Sequence, residues 1–156
     1  ITSTILTYHK TVNYIYDKPF IYWQQVNSNI SKELNKIIKD KDVKKDIDTK
    51  VVLLALSDGE PVGSVRVEVF PDKTAYLSRF AVKVTSQNNG IGKSIMNLVD
   101  KIMVKKGVTQ IQLHTGSKIT SLIRFYYGRG FYIDSTDKSR GYVRALLIKE
   151  YQKKDC

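Results

Sequence analysis

Cysteine is almost missing from this chain. Its one cysteine, Cys156, is the last of 156 residues. No internal disulfide can form, and no Cys/His spacing suited to zinc occurs, so a disulfide scaffold and a zinc-stapled fold are both excluded. No metal is expected at the site. Long apolar runs are missing too: none approaches the roughly 18 to 20 residues of a membrane helix. The first ten residues, ITSTILTYHK, lack the basic start and apolar stretch of a secretory signal. A cytoplasmic protein with no membrane partner is the expectation. Acids are scarce: 15 Asp and Glu stand against 26 Lys and Arg, for a formal net charge of +11. That balance favours anionic partners. The charge is not blocky, since KDKDVKKDID (residues 39–48) interleaves both signs. No KGFGFVxF-like stacking motif accompanies the 10 tyrosines, which disfavours nucleic acid.

What is present suits one globular domain spanning 1–156, at 42% hydrophobic and 26% charged residues. Three parts are distinguished. Residues 1–50 hold a first strand near 12–16 and then one or two helices over 18–46. Residues 51–107 hold a hairpin, a third strand over 74–82 and a helix from Gly90. VVLLAL (51–56) and the alternating VGSVRVEVF (62–70) flank the turn Ser57-Asp58-Gly59-Glu60. In the helix, Ile91, Ile95, Leu98, Val99 and Ile102 share one face, Lys93, Asn97, Asp100 and Lys101 another, and Gly107 stops it. Residues 108–156 read as strand (108–115), helix (118–127) and two strands, the last over 141–151.

The stretch from Val84 to Val99, VTSQNNGIGKSIMNLV, carries the first chemical signal. A helix N-terminus exposes unpaired N–H groups and partial positive charge. A loop of Asn88, Asn89, Gly90, Ile91 and Gly92 leading into it suits a phosphate, which must approach the backbone closely. Lys93 adds a full charge. The sequence is neither GxxxxGK[ST] nor GxGxxG. A plain helix cap is the alternative.

Phe80-Ala81-Val82, four residues, then Gln87-Asn88-Asn89-Gly90-Ile91-Gly92 resembles the acetyl-CoA signature of the GNAT superfamily of N-acetyltransferases. Phe125-Tyr126-Tyr127-Gly128-Arg129-Gly130-Phe131 resembles that family's FYxxxGF hallmark. The element order over residues 50–150 agrees. The resemblance implies an α/β (α+β) GNAT fold: a mixed, mostly antiparallel twisted sheet, splayed central parallel strands, and helices on both faces. It implies transfer of an acetyl group from acetyl-CoA, a co-substrate, to a primary amine of a small molecule or peptide. Phe80, Ala81 and Val82 would face the pantetheine arm. Gln87, Asn88, Asn89, Gly90, Ile91, Gly92, Lys93 and Ser94 would hold the pyrophosphate. Lys83, Lys118, Arg124 and Arg129 lie near these motifs.

By the same resemblance, Tyr126 is the acid for the departing thiolate. The proton acceptor departs from the pattern: where relatives carry Glu, this chain has Tyr76, or Ser78 by the other alignment. Pairing of Phe70 with Thr74 would set Glu68 opposite Tyr76, so Glu68, acting through a water, is the candidate base. His114 is the runner-up. The Asn that often contacts the cofactor is replaced by the neighbourhood of Ile119, Thr120 and Ser121. Gly128 stands where relatives have a helix former. For the acceptor wall the sequence offers Tyr14, Tyr16, Tyr22, Trp23, Gln24 and Gln25, with Asp134 and Asp137 as the few acids. Two other readings stay open: an acyl-CoA-binding domain without turnover, and a basic nucleic-acid-binding module. Oligomeric state is open as well.

Overall fold

A computed structural model describes residues 13–18, 21–26, 49–57, 60–83 and 90–152. The chain divides into two compact units, residues 1–68 with 79–99 and residues 69–78 with 100–156. Elements are numbered along the chain.

In the first unit, β1 (Asn13–Lys18), β2 (Ile21–Val26), β3 (Val51–Ser57) and β4 (Glu60–Val69) form an antiparallel ladder in sequence order. Ile15 faces Trp23, Trp23 faces Ala55, and Leu53 faces Val65. β2 corrects the expectation of helix across 18–46. Ile21, Tyr22, Trp23 and Val26 are β-branched or aromatic and favour a pleated surface, and β2 pairs on both sides. The helix expected from Ser31 lies outside the described residues. β3 is buried along Val51, Val52, Leu53, Leu54 and Ala55, so its run is continuously apolar and does not alternate. The Ser57 and Glu60 pairing closes the expected hairpin.

β5 (Thr74–Val82) runs through both units, as does the helix α1 (Ile91–Lys105). In the first unit Lys83 N–H donates to the Val62 carbonyl at 2.7 Å. The apolar face of α1 is as expected at Ile91, Ile95, Leu98 and Val99, with Met96 and Met103 also buried.

The second unit orders its strands β5, β6 (Gln110–Gly116), β8 (Arg144–Glu150) and β7 (Tyr132–Asp137). β8 is antiparallel to both neighbours, with Leu113 opposite Leu147. Helix α2 (Thr120–Gly128) follows β6. Gly128 is its last residue, so the cost of glycine inside a helix does not arise. β5 and β6 are parallel and are paired at Thr74–Gln110, Ala75–Ile111 and Tyr76–Gln112. Pairing ends there, although both strands continue. The splayed parallel pair expected of the fold is therefore present.

Asp100 lies on the polar face of α1, as expected, and is partly buried there. Its carboxylate accepts Lys149 Nζ at 2.6 Å and the Tyr151 hydroxyl at 2.7 Å. Lys149 Nζ also donates to the Arg129 carbonyl at 2.7 Å. Burial and the neighbouring carboxylate push the Tyr151 phenol up. This cluster ties the chain end to α1 and to the turn after α2. Replacing Asp100 with Ala leaves a partly buried ammonium and a phenol without their acceptor. Asp100→Ala is expected to lower unfolding free energy by about 1–3 kcal/mol, measured by denaturant titration.

Candidate functional site

The first unit assembles the end of β5 and the start of α1 around Gly63. A methyl group built at Gly63 would lie 2.9 Å from Ile95 Cδ1, 3.1 Å from the Ala81 carbonyl oxygen and 3.5 Å from Ile91 Cγ2. Glycine is what lets β4 pass so close to both elements. The sequence-predicted residues Ala81 and Ile91 are thereby brought together. Gln87, Asn88 and Asn89 lie outside the described residues.

Gly90 has φ of 75°, the left-handed region that glycine enters at least cost. The first helical bond of α1 runs from Ser94 N–H to the Gly90 carbonyl at 3.0 Å. The N–H groups of Ile91, Gly92 and Lys93 precede it and are the donors a helix mouth offers. No acid occupies the first turn, and Lys93 is exposed there. Ser94 Oγ is buried and has no hydrogen-bond partner among the described residues. A glycine-opened mouth with free positive potential and a waiting hydroxyl fits an anionic phosphate ligand.

One feature of β5 was not legible in the sequence. Arg79 has φ of 53°, a left-handed residue inside a strand and without glycine's freedom. It immediately precedes Phe80, Ala81 and Val82 and re-aims their backbone, as a bulge does. Glu68, also in this unit, lies 3.8 Å from Lys50 Nζ with its side chain 42% exposed. Phe70 N–H donates to the Thr74 carbonyl at 2.9 Å, the expected pairing.

The second unit carries Tyr126, Tyr76 and His114. Tyr126 is the buried residue of α2, 5% exposed. Its ring meets Phe125 at 5.4 Å and Phe131 at 5.6 Å, both edge-on. The Arg129 and Phe131 N–H groups donate to the Tyr126 carbonyl. The FYxxxGF-like motif thus has a structural role: it ends the helix and clamps this ring. Burial pushes the Tyr126 phenol from 10.0 up to about 12. Tyr127, by contrast, is exposed.

The Tyr76 hydroxyl and His114 Nδ1 are 2.6 Å apart, joining β5 to β6 beside the last paired position. The residues are 38 positions apart, so only the fold reveals the contact. Partial burial holds the His114 imidazole below 6.5, with Arg144 and Arg140 acting in the same direction and Asp137 against. Asp137 is not open to a cationic ligand. It accepts from the Ser139 hydroxyl at 2.6 Å and from Arg144 Nε at 2.9 Å. The Ser139 hydroxyl first, and then Arg144, hold its carboxyl down at about 2. A cavity of about 780 Å³ opens at the end of β6, lined by Gly116, Lys118, Ile119, Lys138, Gly141, Tyr142 and Val143. Among the described residues no group of metal-ligating side chains is found, and no helix is long and apolar enough to cross a membrane.

Comparison with known proteins agrees with the fold. The model of the acetyltransferase (GNAT) family matches residues 15–131. Spermidine N(1)-acetyltransferase of Thermoplasma acidophilum is 29% identical over 126 residues, covering 80% of this chain and 75% of that protein. The structure of the PaiA N-acetyltransferase of Thermoplasma acidophilum, in complex with coenzyme A, superposes with a TM-score of 0.67 at 21% identity, over 96% of this chain and 92% of that one. The ribosomal-protein-S18-alanine N-acetyltransferase of Escherichia coli gives a TM-score of 0.73 at 13% identity, over 86% and 96%. At these identities the structures share the fold.

Proposed function

We propose, on the premise that this chain belongs to the acetyltransferase (GNAT) family, that it moves an acetyl group from acetyl-CoA to a primary amine of a small molecule or peptide in the cytoplasm. The observation that carries this reading is the start of α1: a left-handed Gly90, a first turn without acid and a buried Ser94 hydroxyl, packed at Gly63 against the end of β5. Relatives of this fold have been crystallised with coenzyme A or acetyl coenzyme A.

In this reading the N–H groups of Ile91, Gly92 and Lys93, with Gln87, Asn88 and Asn89, hold the pyrophosphate, and Ser94 gives a hydroxyl contact. Backbone groups of Phe80, Ala81 and Val82 hold the pantetheine arm. Acetyl-CoA supplies an acyl carbon bonded to a good leaving group. The Phe80 N–H polarises the acyl carbonyl. Tyr126 gives its proton to the departing sulfur. A phenol at about 12 is a weaker acid than the ordinary phenol at 10.0. Burial, however, raises a thiol in the same dry setting as well, so the gap between the two is smaller than the phenol's rise alone implies. The amine's proton has two candidate destinations on this chain, the Glu68 carboxylate through a water and the His114 imidazole.

Charge narrows the acceptor. A polyamine favours an acidic cleft, whereas this chain carries +11, Asp137 is held by Arg144, and Lys118 and Lys138 line the cavity at the end of β6. Neutral or carboxylate-bearing amines fit better than spermidine.

Three measurements test this reading. Calorimetric titration with acetyl-CoA should show micromolar binding to the wild type and none to Gly90→Glu, which puts a strained, anionic residue at the helix mouth. Absence of wild-type binding contradicts the proposal. Tyr126→Phe should keep that binding and lose about 100-fold in kcat, read by thiol release; unchanged turnover removes Tyr126 from the reaction. In a panel of amines, kcat/KM for neutral and carboxylate-bearing acceptors should exceed that for spermidine, and the reverse order would overturn the charge argument.

A further inference from the structure

We propose that Tyr76 and His114 form a proton relay that carries away the proton of the attacking amine, an inference that rests on the acyl-transfer reading above. An amine forming an amide must lose a proton, so a group able to receive one has to face the reaction. Across residues 74–78 of β5 and 110–116 of β6, the only ionisable side chains are Tyr76 and His114. They are hydrogen-bonded to each other at 2.6 Å. They stand where the parallel pairing of the strands ends.

Strand alternation sets their outlook. Ala75, Leu77, Ile111 and Leu113 point into the core and are buried, whereas Tyr76, Gln112, His114 and Gly116 occupy the other face and are partly open. Gly116 lines the 780 Å³ cavity at the end of β6, so this face leads to a space that a small amine can enter.

The charged groups around the imidazole keep it able to accept. Arg144 of β8 and Arg140 of the turn before it oppose an imidazolium, Asp137 of β7 supports one, and Tyr76 of β5 is its direct partner. Arg144 and Asp137 are themselves paired at 2.9 Å, which mutes both. With partial burial added, the neutral form prevails at pH 7.

The step balances as follows. The amine nitrogen bonds to the acyl carbon and its N–H bond breaks, the electron pair staying on nitrogen; the C–S bond breaks, its electron pair leaving on the CoA sulfur, which takes the Tyr126 proton. That proton goes to the Tyr76 hydroxyl oxygen, while the Tyr76 O–H proton passes to His114 Nδ1. Tyr76 ends neutral and His114 ends as imidazolium, which returns its proton to water. The relay requires a resting tautomer with Nδ1 bare and the proton on Nε2.

Two experiments test it. Nitrogen-15 NMR of the intact chain at pH 7.5, about one unit above an ordinary imidazole, reads the tautomer without any acceptor. An unprotonated Nδ1 is expected; a proton on Nδ1 overturns the relay, whatever the enzyme acetylates. Kinetics then compare Tyr76→Phe, His114→Gln and the double variant by thiol release. Each single change should lower kcat/KM about 100-fold with acetyl-CoA binding retained, and the double variant should lose no more than either single. The loss of rate on acidification through the His114 titration, below pH 6.5, should vanish in His114→Gln and persist in Glu68→Gln. Multiplying losses would overturn the relay, and a limb that vanishes only in Glu68→Gln would assign the proton to the carboxylate instead. Acetyl-CoA binding with no amine acetylated would defeat the acyl-transfer reading itself, and with it the relay.

Discussion

The parting of β5 from β6 after three paired positions is the constraint on which the second unit's chemistry depends. Here one connection is made by side chains, the Tyr76 hydroxyl meeting His114 Nδ1. The rest of the unit supports the gap. β8 pairs with the whole of β6 and holds it straight, and the Asp100–Lys149–Tyr151 cluster fixes the chain that follows β8. The ring of Tyr126 is clamped by Phe125 and Phe131 and by two backbone bonds at the helix end.

In the proposed function the first unit receives negative charge. Its means are almost all backbone: a left-handed glycine, a helix mouth without acid, and a left-handed Arg79 ahead of Phe80. Gly63 is the packing device that allows these pieces to meet, because any side chain there would strike Ile95 and the Ala81 carbonyl. Excess positive charge spread over the chain adds a field of the same sign.

Much of this was legible in the sequence because it is local. The hairpin of β3 and β4, the bounds of β5 and the apolar face of α1 follow from patterns within ten residues, and the Gly90 loop and the Tyr126 motif sit at readable spacings. What was missed is non-local. β2 was read as helix because Ile21, Trp23 and Val26 carry no clean period, and its pairing with β1 and β3 decides the matter. The partners of Asp100, Lys149 and Tyr151, are about fifty residues away and leave no local trace. Tyr76 looked like the loss of a carboxylate, and only the register of β5 on β6 reveals that it meets His114. Glu68 lies instead beside Lys50, at 3.8 Å.

The central claim is that this chain receives acetyl-CoA along the end of β5 and the mouth of α1. Amide hydrogen exchange, followed with and without acetyl-CoA, tests it most directly. The account predicts slowed exchange at Phe80 and Val82 and at Ile91, Gly92 and Lys93, with the interior of β3 unchanged. Uniform exchange in these segments, or protection confined to another part of the chain, would contradict it.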